Sequence, residues 1–248
     1  VGSWGGQQPS GNIDLDILNF ALNLEYLEAE FYLRAAFGTG LSPQDIGSNP
    51  GPVIGGRQVP FSNPDIRQYA EEIARDEEAH VKFLRAAIQS FGGRPVDRPA
   101  IDIENSFKQV VPGFDPYAND NNFLVGAFVF EDVGVTAYSG AAPLITDKQV
   151  VLAKAAGILA VEAYHAGLIR LLCYERGLQS LTAQVVAKRD ADGKGEDIVK
   201  AGHTNIVPAD ANAVAFARTA QEVIRVVTLG GANNRGGFFP NGLNGNIR

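Results

Sequence analysis

Glu77-Glu78-Ala79-His80 and Glu162-Ala163-Tyr164-His165 place two of the chain's three histidines three residues after a glutamate, each inside a long helical stretch. On an α-helix, positions i and i+3 share a face, so each Glu-x-x-His projects a carboxylate and an imidazole in one direction. Two such helices facing each other can enclose a pair of metal ions if two further helices each add a carboxylate. Glu25 and Glu131 are the candidates for that role, and each is followed seven residues later by a tyrosine, Tyr32 and Tyr138. The chain therefore reads twice as Glu-x6-Tyr followed by Glu-x-x-His. That is the pattern of two helix pairs building one site about an approximate two-fold axis.

Apolar spacing around these motifs predicts four long helices. The first runs roughly from Ile13 to Ala36, with Ile17, Ala21, Leu24, Glu25, Glu28, Phe31 and Tyr32 at three- and four-residue steps. The second has Asn63 as N-cap, Pro64 at its first position and Asp65 in its first turn, and stops at Gly92-Gly93. Its inward row is Ile73, Glu77, His80, Leu84 and Ile88. The third is expected from the Asn/Asp cluster at 119–122 to Ser139-Gly140, with Leu124, Phe128, Glu131, Val135 and Tyr138 in one row. The fourth opens with a capping box, Thr146-Asp147-Lys148-Gln149, and ends at Arg176-Gly177. Its row is Ile158, Glu162, His165 and Ile169.

The short link between the third and fourth helices makes them antiparallel neighbours. Gly93 to Ala118 is long enough to cross the bundle and carries a short helix around Ile103 to Val111. The fold class is thus all-α, a four-helix bundle with one long crossover. The Gly- and Pro-rich connection Phe37 to Ser62 is expected to cover the mouth of the site. Beyond Gly177 come a short helix near Leu181 to Arg189, an exposed loop from Asp190 to Gly195, and a last helix from Thr219 to Leu229. Phe238 and Phe239 in the turn-rich end are expected to dock onto the bundle. The organisation is a flexible N-terminal segment (1–12), the bundle (13–177) and a helical and loop appendage (178–248) packed on it, without chemistry of its own.

With 248 residues, 45% hydrophobic and 20% charged, the composition is that of a soluble globular chain able to bury a core. A net charge of −7 without any Lys/Arg run argues against nucleic acid or anionic membrane as partners. Cations neutralising the four ligand glutamates would leave about −3. The one cysteine, Cys173, excludes an intrachain disulfide and reads as a buried inert thiol. Val150 to Tyr174 is the most apolar long stretch, but Lys154, Glu162, His165 and Arg170 argue against a membrane span and for a helix buried in protein. Methionine is absent, so Val1 is read as following a removed initiator or a cleaved leader, with Val1 to Gly11 polar.

If these glutamates and histidines were merely exposed, or isolated buried pairs, Glu25 and Glu131 would not lie on rows that otherwise bury Leu, Val and Phe. Four unpaired carboxylates in one core are very costly, and cations remove that cost. The metal set is therefore Glu25, Glu77, His80, Glu131, Glu162 and His165, with Glu77 and Glu162 the candidates to bridge. On the first helix either Glu25 or Glu28 can be the ligand. The matched spacing to tyrosine favours Glu25 and leaves Glu28 as a neighbour of the site or a surface charge. Tyr32 and Tyr138 read as hydrogen-bond donors to ligand carboxylates, as redox-active phenols, or as core tyrosines with satisfied hydroxyls. Asp132 points away from Glu131's direction, and His203 reads as a surface residue. Carboxylates with two imidazoles suit two Fe or two Mn ions per chain better than Ca or Zn. Such ions can exchange electrons with O2 or peroxide.

Beyond the ligand pattern, the stretches Leu22-Asn23-Leu24-Glu25-Tyr26-Leu27-Glu28-Ala29-Glu30-Phe31-Tyr32, Phe114-Asp115-Pro116-Tyr117-Ala118-Asn119, Phe216-Ala217-Arg218-Thr219 and Gly237-Phe238-Phe239-Pro240-Asn241-Gly242 carry a resemblance. The chain resembles the ferritin-like superfamily, which includes rubrerythrins, ferritins and manganese catalases. More narrowly it resembles the ferritin-like desiccation-related proteins of plants and bacteria, over nearly its whole length. The resemblance implies a ferritin-like bundle and an exported protein, periplasmic or extracellular, linked to desiccation or other stress. It implies no particular reaction. The long tail departs from cage-forming ferritins, so a homo-oligomer is compatible with the sequence but a closed cage is not expected. Three functions follow: a dimetal oxidoreductase of ferroxidase, peroxidase or catalase type, a metal-sequestering protein, or a stress-protective structural protein stapled by metal.

Overall fold

Asn12 and Asn63 open the two helices that form one half of the bundle. In the computed structural model, which describes residues 11–190 and 193–248, α1 spans Ile13–Phe37 and α2 Pro64–Ser90. Each asparagine side chain accepts two first-turn backbone N–H groups, Asp14 and Leu15 in one case, Asp65 and Ile66 in the other. These are donors that a helix start otherwise leaves unpaired. Asn12, the last residue of the expected N-terminal segment, caps α1; residues 1–10 of that segment lie outside the described residues. The helices are antiparallel: Leu15 packs against Gly93, Glu25 meets His80, and Arg85 donates to the Tyr26 hydroxyl at 2.7 Å.

The crossover carries the chain back to the end where α2 began. It includes β2 (Ile101–Asp102), parallel to β1 (Val53–Ile54), and the short helix α3 (Asn105–Val110). At its far end the Asp120 carboxylate accepts from Ser62 N, Ser62 Oγ and Asn63 N at 2.7–3.0 Å. The Phe37 to Ser62 connection lies against this crossover, with Gly51 N donating to Arg98 O at 2.7 Å and Ile103 N to Ile54 O at 2.9 Å.

The expected third helix is two helices, α4 (Asp120–Phe128) and α5 (Glu131–Ala141). The interruption has an identifiable cause. Arg189 Nη1 donates to the carbonyl oxygens of Phe128 and Val129, and its Nη2 to Asp132 at 2.8 Å. A side chain inserted into the hydrogen-bond ladder breaks a helix in this way. The helix α6 (Val151–Glu175) also starts later than expected, because the capping box does not form. Thr146 is instead held by Asp14 through its N–H (2.7 Å) and hydroxyl (2.9 Å), while the Asp147 carboxylate accepts from Gln149 N and Val150 N. Antiparallel pairing of α5 and α6 is as expected, with Glu131 opposite His165 and Gly134 opposite Glu162.

α1 is buried nearly all round, because the crossover and the tail wrap its outer face. Tyr26 OH donates to Val96 O at 2.8 Å, Arg98 pairs with Glu30 at 2.5 Å, and Asn23 exchanges two hydrogen bonds with Asn244. The expectation of a helix buried in protein is corrected for α6, which is buried on one face only. Its inner face carries Glu162, His165, Ile169 and Cys173, but Tyr164 is 80% exposed and Leu171 40%. It packs on α4 and α5 on one side, and by length and composition alone it could cross a membrane.

The appendage comprises α7 (Gln179–Arg189), a two-residue hairpin of β3 (Val199–Lys200) and β4 (His203–Thr204), and α8 (Ala220–Val227). Of the expected exposed loop, residues 191–192 lie outside the described residues. Its described part is tied down, with Gly195 N and Glu196 N donating to Asp190. Phe238 docks as expected, its ring 5.1 Å from Phe107 and 5.0 Å from Phe130. A buried ion network joins tail to bundle: Asp132 pairs with Arg170 and Arg189, and Glu196 with Arg189 and Arg218. Arg189→Met leaves Asp132 and Glu196 short of a buried partner. Loss of one partner from such a pair costs about 3–5 kcal/mol, which a fall in the urea unfolding midpoint measures.

Candidate metal centre

The six ligand candidates converge between the two helix pairs. Glu25 comes from α1, Glu77 and His80 from α2, Glu131 from the first turn of α5, and Glu162 and His165 from α6; all are buried. Glu28, one turn beyond Glu25 on α1, is also buried and belongs to the same cluster rather than to the surface. Ligand atoms from Glu25, Glu77, His80 and Glu162 lie within 4.8 Å of one another, as do those from Glu77, Glu131 and His165. A third set, Glu28, Glu77, Glu131 and Glu162, meets the same limit. Glu77 is common to all three.

The tyrosines link the two halves crosswise. Tyr138 of α5 donates to Glu25 Oε1 of α1 at 2.6 Å, and Tyr32 of α1 donates to Glu131 Oε1 of α5. Each phenol holds one carboxylate oxygen and leaves Oε2 facing inward: Glu25 Oε2 lies 3.2 Å and Glu131 Oε2 3.7 Å from its histidine's Nδ1. Burial, and then the charge of the carboxylate each one touches, pushes both phenols well above the ordinary tyrosine range, so they stay protonated donors.

Among the described residues, the ion pairs of these glutamates are with His80 and His165, not with Lys or Arg. Burial pushes Glu77 and Glu162 up to about 8, with neighbouring carboxylates adding to the rise. Burial raises Glu28 and Glu131 as well. It also opposes the charged form of Glu25, but His80 outweighs it and leaves that carboxylate lowered. Against burial, Glu25 raises His80 and Glu131 raises His165. Five buried oxygens and nitrogens make no aligned hydrogen bond: Glu77 Oε1, Glu131 Oε2, both oxygens of Glu162, and His165 Nδ1. His165 Nδ1 lies only 3.1 Å from Glu77 Oε1, yet the angle does not make a bond. Orphaned buried groups of this kind demand a partner. Anionic oxygens and imidazole nitrogens around a common centre fit divalent metal ions.

Three features were not legible as site features from the residue pattern. Asp76 Oδ2 lies 2.9 Å from His165 Nε2, a carboxylate that orients the ring and leaves Nδ1 to the centre. Gly134 faces Glu162 and Glu28 without a side chain of its own. The third is an opening at the other end of the bundle from the expected mouth, where the Phe37 to Ser62 connection borders a cavity of its own lined by Gly55, Arg57 and Tyr117. An apolar groove of about 300 Å³ lies between the end of α2 and the start of α6, lined by Leu84, Phe91, Val151, Ile158 and Tyr138. It opens at the opposite end of the bundle from that connection and reaches the Tyr138 ring.

Comparison with known proteins agrees with this geometry. The family model for the ferritin-like domain matches residues 13–175. The desiccation-related protein PCC13-62 of Craterostigma plantagineum is 39% identical over 176 residues, 66% of this chain and 54% of that protein, so the match spans about half of its length. The ferritin-like catalase Nec2 of Nesocodon mauritianus is 30% identical over 270 aligned positions, 94% of this chain and 84% of that protein. No solved structure matches.

The electrostatics fix the pH response of the metal-free protein. Glu77 and Glu162 have folded pKa values near 8 against 4.5 for the ordinary group, so between these values the folded state holds protons that the unfolded chain releases. The raised histidines act in the same sense above their ordinary 6.5, and Glu25, being lowered, is ionised throughout this window. Stability of the chelator-treated protein therefore falls as pH rises from 5 to 8. A melting temperature lower by at least about 4 °C at the alkaline end is expected. Bound metal, which displaces those protons, should flatten or invert the trend.

Proposed function

The chain belongs to the ferritin-like family, among its desiccation-related proteins, and on that premise we propose that it is a dimetal oxidoreductase that consumes peroxide. The observation that carries the reading is the pair of donor sets, one around each histidine, that share Glu77 and hold buried oxygens with no other partner. The catalase named among its relatives supports peroxide as the substrate class. Two Fe or two Mn ions held there would supply the one-electron changes by which peroxide is both reduced and oxidised, in the balance 2 H2O2 → 2 H2O + O2.

The chain's own residues supply the rest. Glu77 reaches both histidines, lying 3.4 Å from His80 Nδ1 through Oε2 and 3.1 Å from His165 Nδ1 through Oε1, the geometry of a bridging carboxylate. Tyr32 and Tyr138 fix the rotamers of Glu131 and Glu25 and keep their inner oxygens directed at the centre. The surrounding Leu, Val and Phe side chains exclude bulk water, and the groove at Tyr138 admits a small neutral molecule.

Elemental analysis of the natively purified protein, with oxygen evolution from peroxide, tests the reading. About two Fe or Mn per chain and sustained turnover are expected. Glu131→Gln and His165→Ala should lose one metal and the activity. Stoichiometric metal binding without turnover would instead mark a sequestering protein. Tyr138→Phe removes only the hydrogen bond to Glu25, and a partner that orients a ligand is worth about 10–100-fold in affinity or activity; the same loss is expected here, read by metal titration and by turnover.

A further inference from the structure

The near-repeat that builds the site is broken at one place. Glu25, Glu28 and Tyr32 on α1 match Glu131, Gly134 and Tyr138 on α5 in spacing, so a glycine stands where the repeat would put the counterpart of Glu28. The backbone does not ask for glycine there, since Gly134 lies within α5 and is not among the residues with positive φ. Glycine inside a helix weakens it, so another constraint keeps the position empty. A Cβ at 134 would lie 2.5 Å from Glu162 Oε2 and 3.4 Å from Glu28 Oε1. The missing side chain makes room for the Glu162 carboxylate, with Glu28 at ordinary contact distance beside it.

The donor sets are unequal in the same sense. Around His80 there are three carboxylates, Glu25, Glu77 and Glu162; around His165 there are two, Glu77 and Glu131. Glu28 lies within 4.8 Å of both of those and of Glu162. Other carboxylates are what it faces, from α1, α2, α5 and α6: Glu25, Glu77, Glu131 and Glu162. On its other side is an apolar wall that includes Leu27, Phe130, Val226 and Phe238. A carboxylate between anions and hydrocarbon has only a bound cation or a proton to compensate it. The orphaned inner oxygens of Glu131 and Glu162 point to the cation.

Building on the dimetal reading above, we propose that Glu28 is a seventh ligand of the centre, binding the ion held by Glu77, Glu131 and His165. Each ion then has three carboxylates and one imidazole: Glu25, Glu77, Glu162 and His80 for one, Glu28, Glu77, Glu131 and His165 for the other. The tail, through α8 and Phe238, seals the side of the centre that carries the additional ligand.

The full-length protein, freed of metal by chelation and titrated with Mn(II), tests this by electron paramagnetic resonance of the free ion and by elemental analysis. The native protein should take up two ions. Glu28→Gln should weaken one step of that uptake at least tenfold and leave the other unchanged. A Glu28→Gln protein with native circular dichroism that binds two Mn(II) with unchanged affinities overturns the assignment and leaves the dimetal reading intact. A native protein that binds neither Mn nor Fe overturns both. Should Glu28→Gln fail to fold, Glu28→Asp keeps the charge and withdraws the carboxylate by one methylene. A severalfold weakening of the same step supports the assignment, and an unchanged step overturns it.

Discussion

Five carboxylates facing one another inside a helical core set the constraint on which the remaining structure depends. Left as bare anions they would repel one another in a medium that screens poorly, and no Lys or Arg pairs with them among the described residues. Such a cluster persists only if the scaffold is strong enough to hold it before the compensating charge arrives. That explains why α1, which carries two of the five, is wrapped on every side. Its outer face is pinned by Arg98, Asn244 and the Val96 carbonyl, and its Phe31 ring lies within 6 Å of Phe107, Tyr117, Phe123 and Phe130.

The same constraint gives the tail a role. Arg189 comes from α7, outside the four-helix bundle, yet it takes the carbonyls whose loss ends α4 and restarts the chain as α5. The restart makes Glu131 the first residue of a helix, where the dipole favours an anion. Its neighbour Asp132 points the other way and anchors Arg170 and Arg189. One break therefore sets a ligand on one side and an ion network on the other. A bundle without the tail would lack the cause of the break.

How much of this was legible in the residues depends on how local its cause is. The Asn63-Pro64-Asp65 start of α2, the glycine stop after it and the two Glu-x-x-His rows are short-range signals, and helix and motif follow from them directly. The break at Val129-Phe130 was not legible, because its cause lies some sixty residues further along the chain. The capping box at Thr146 read as a local signal but was overridden by a distant residue, Asp14. The spacing of Glu25 to Tyr32 and Glu131 to Tyr138 was visible. What it does not show is that each tyrosine serves the glutamate of the other helix, since only packing across the bundle creates that exchange. Glu28 stayed ambiguous for a similar reason: its place in the cluster depends on carboxylates carried by three other helices.

The exchanged tyrosines also distinguish the two halves in a way that the ligand pattern conceals. Tyr32 is fully buried, its ring 5.0 Å from Phe31 and 5.9 Å from Phe123, so the Glu131 half is closed by aromatic packing. Tyr138 occupies the equivalent position in the other half but lines the groove between α2 and α6. A molecule entering by that groove meets the phenol that holds Glu25 before it meets any carboxylate. Sequence symmetry thus builds the donor sets in pairs, while the packing around them sets a groove beside one tyrosine and aromatic rings around the other. The sequence repeat alone cannot provide that distinction, because it comes from the residues that the two halves do not share.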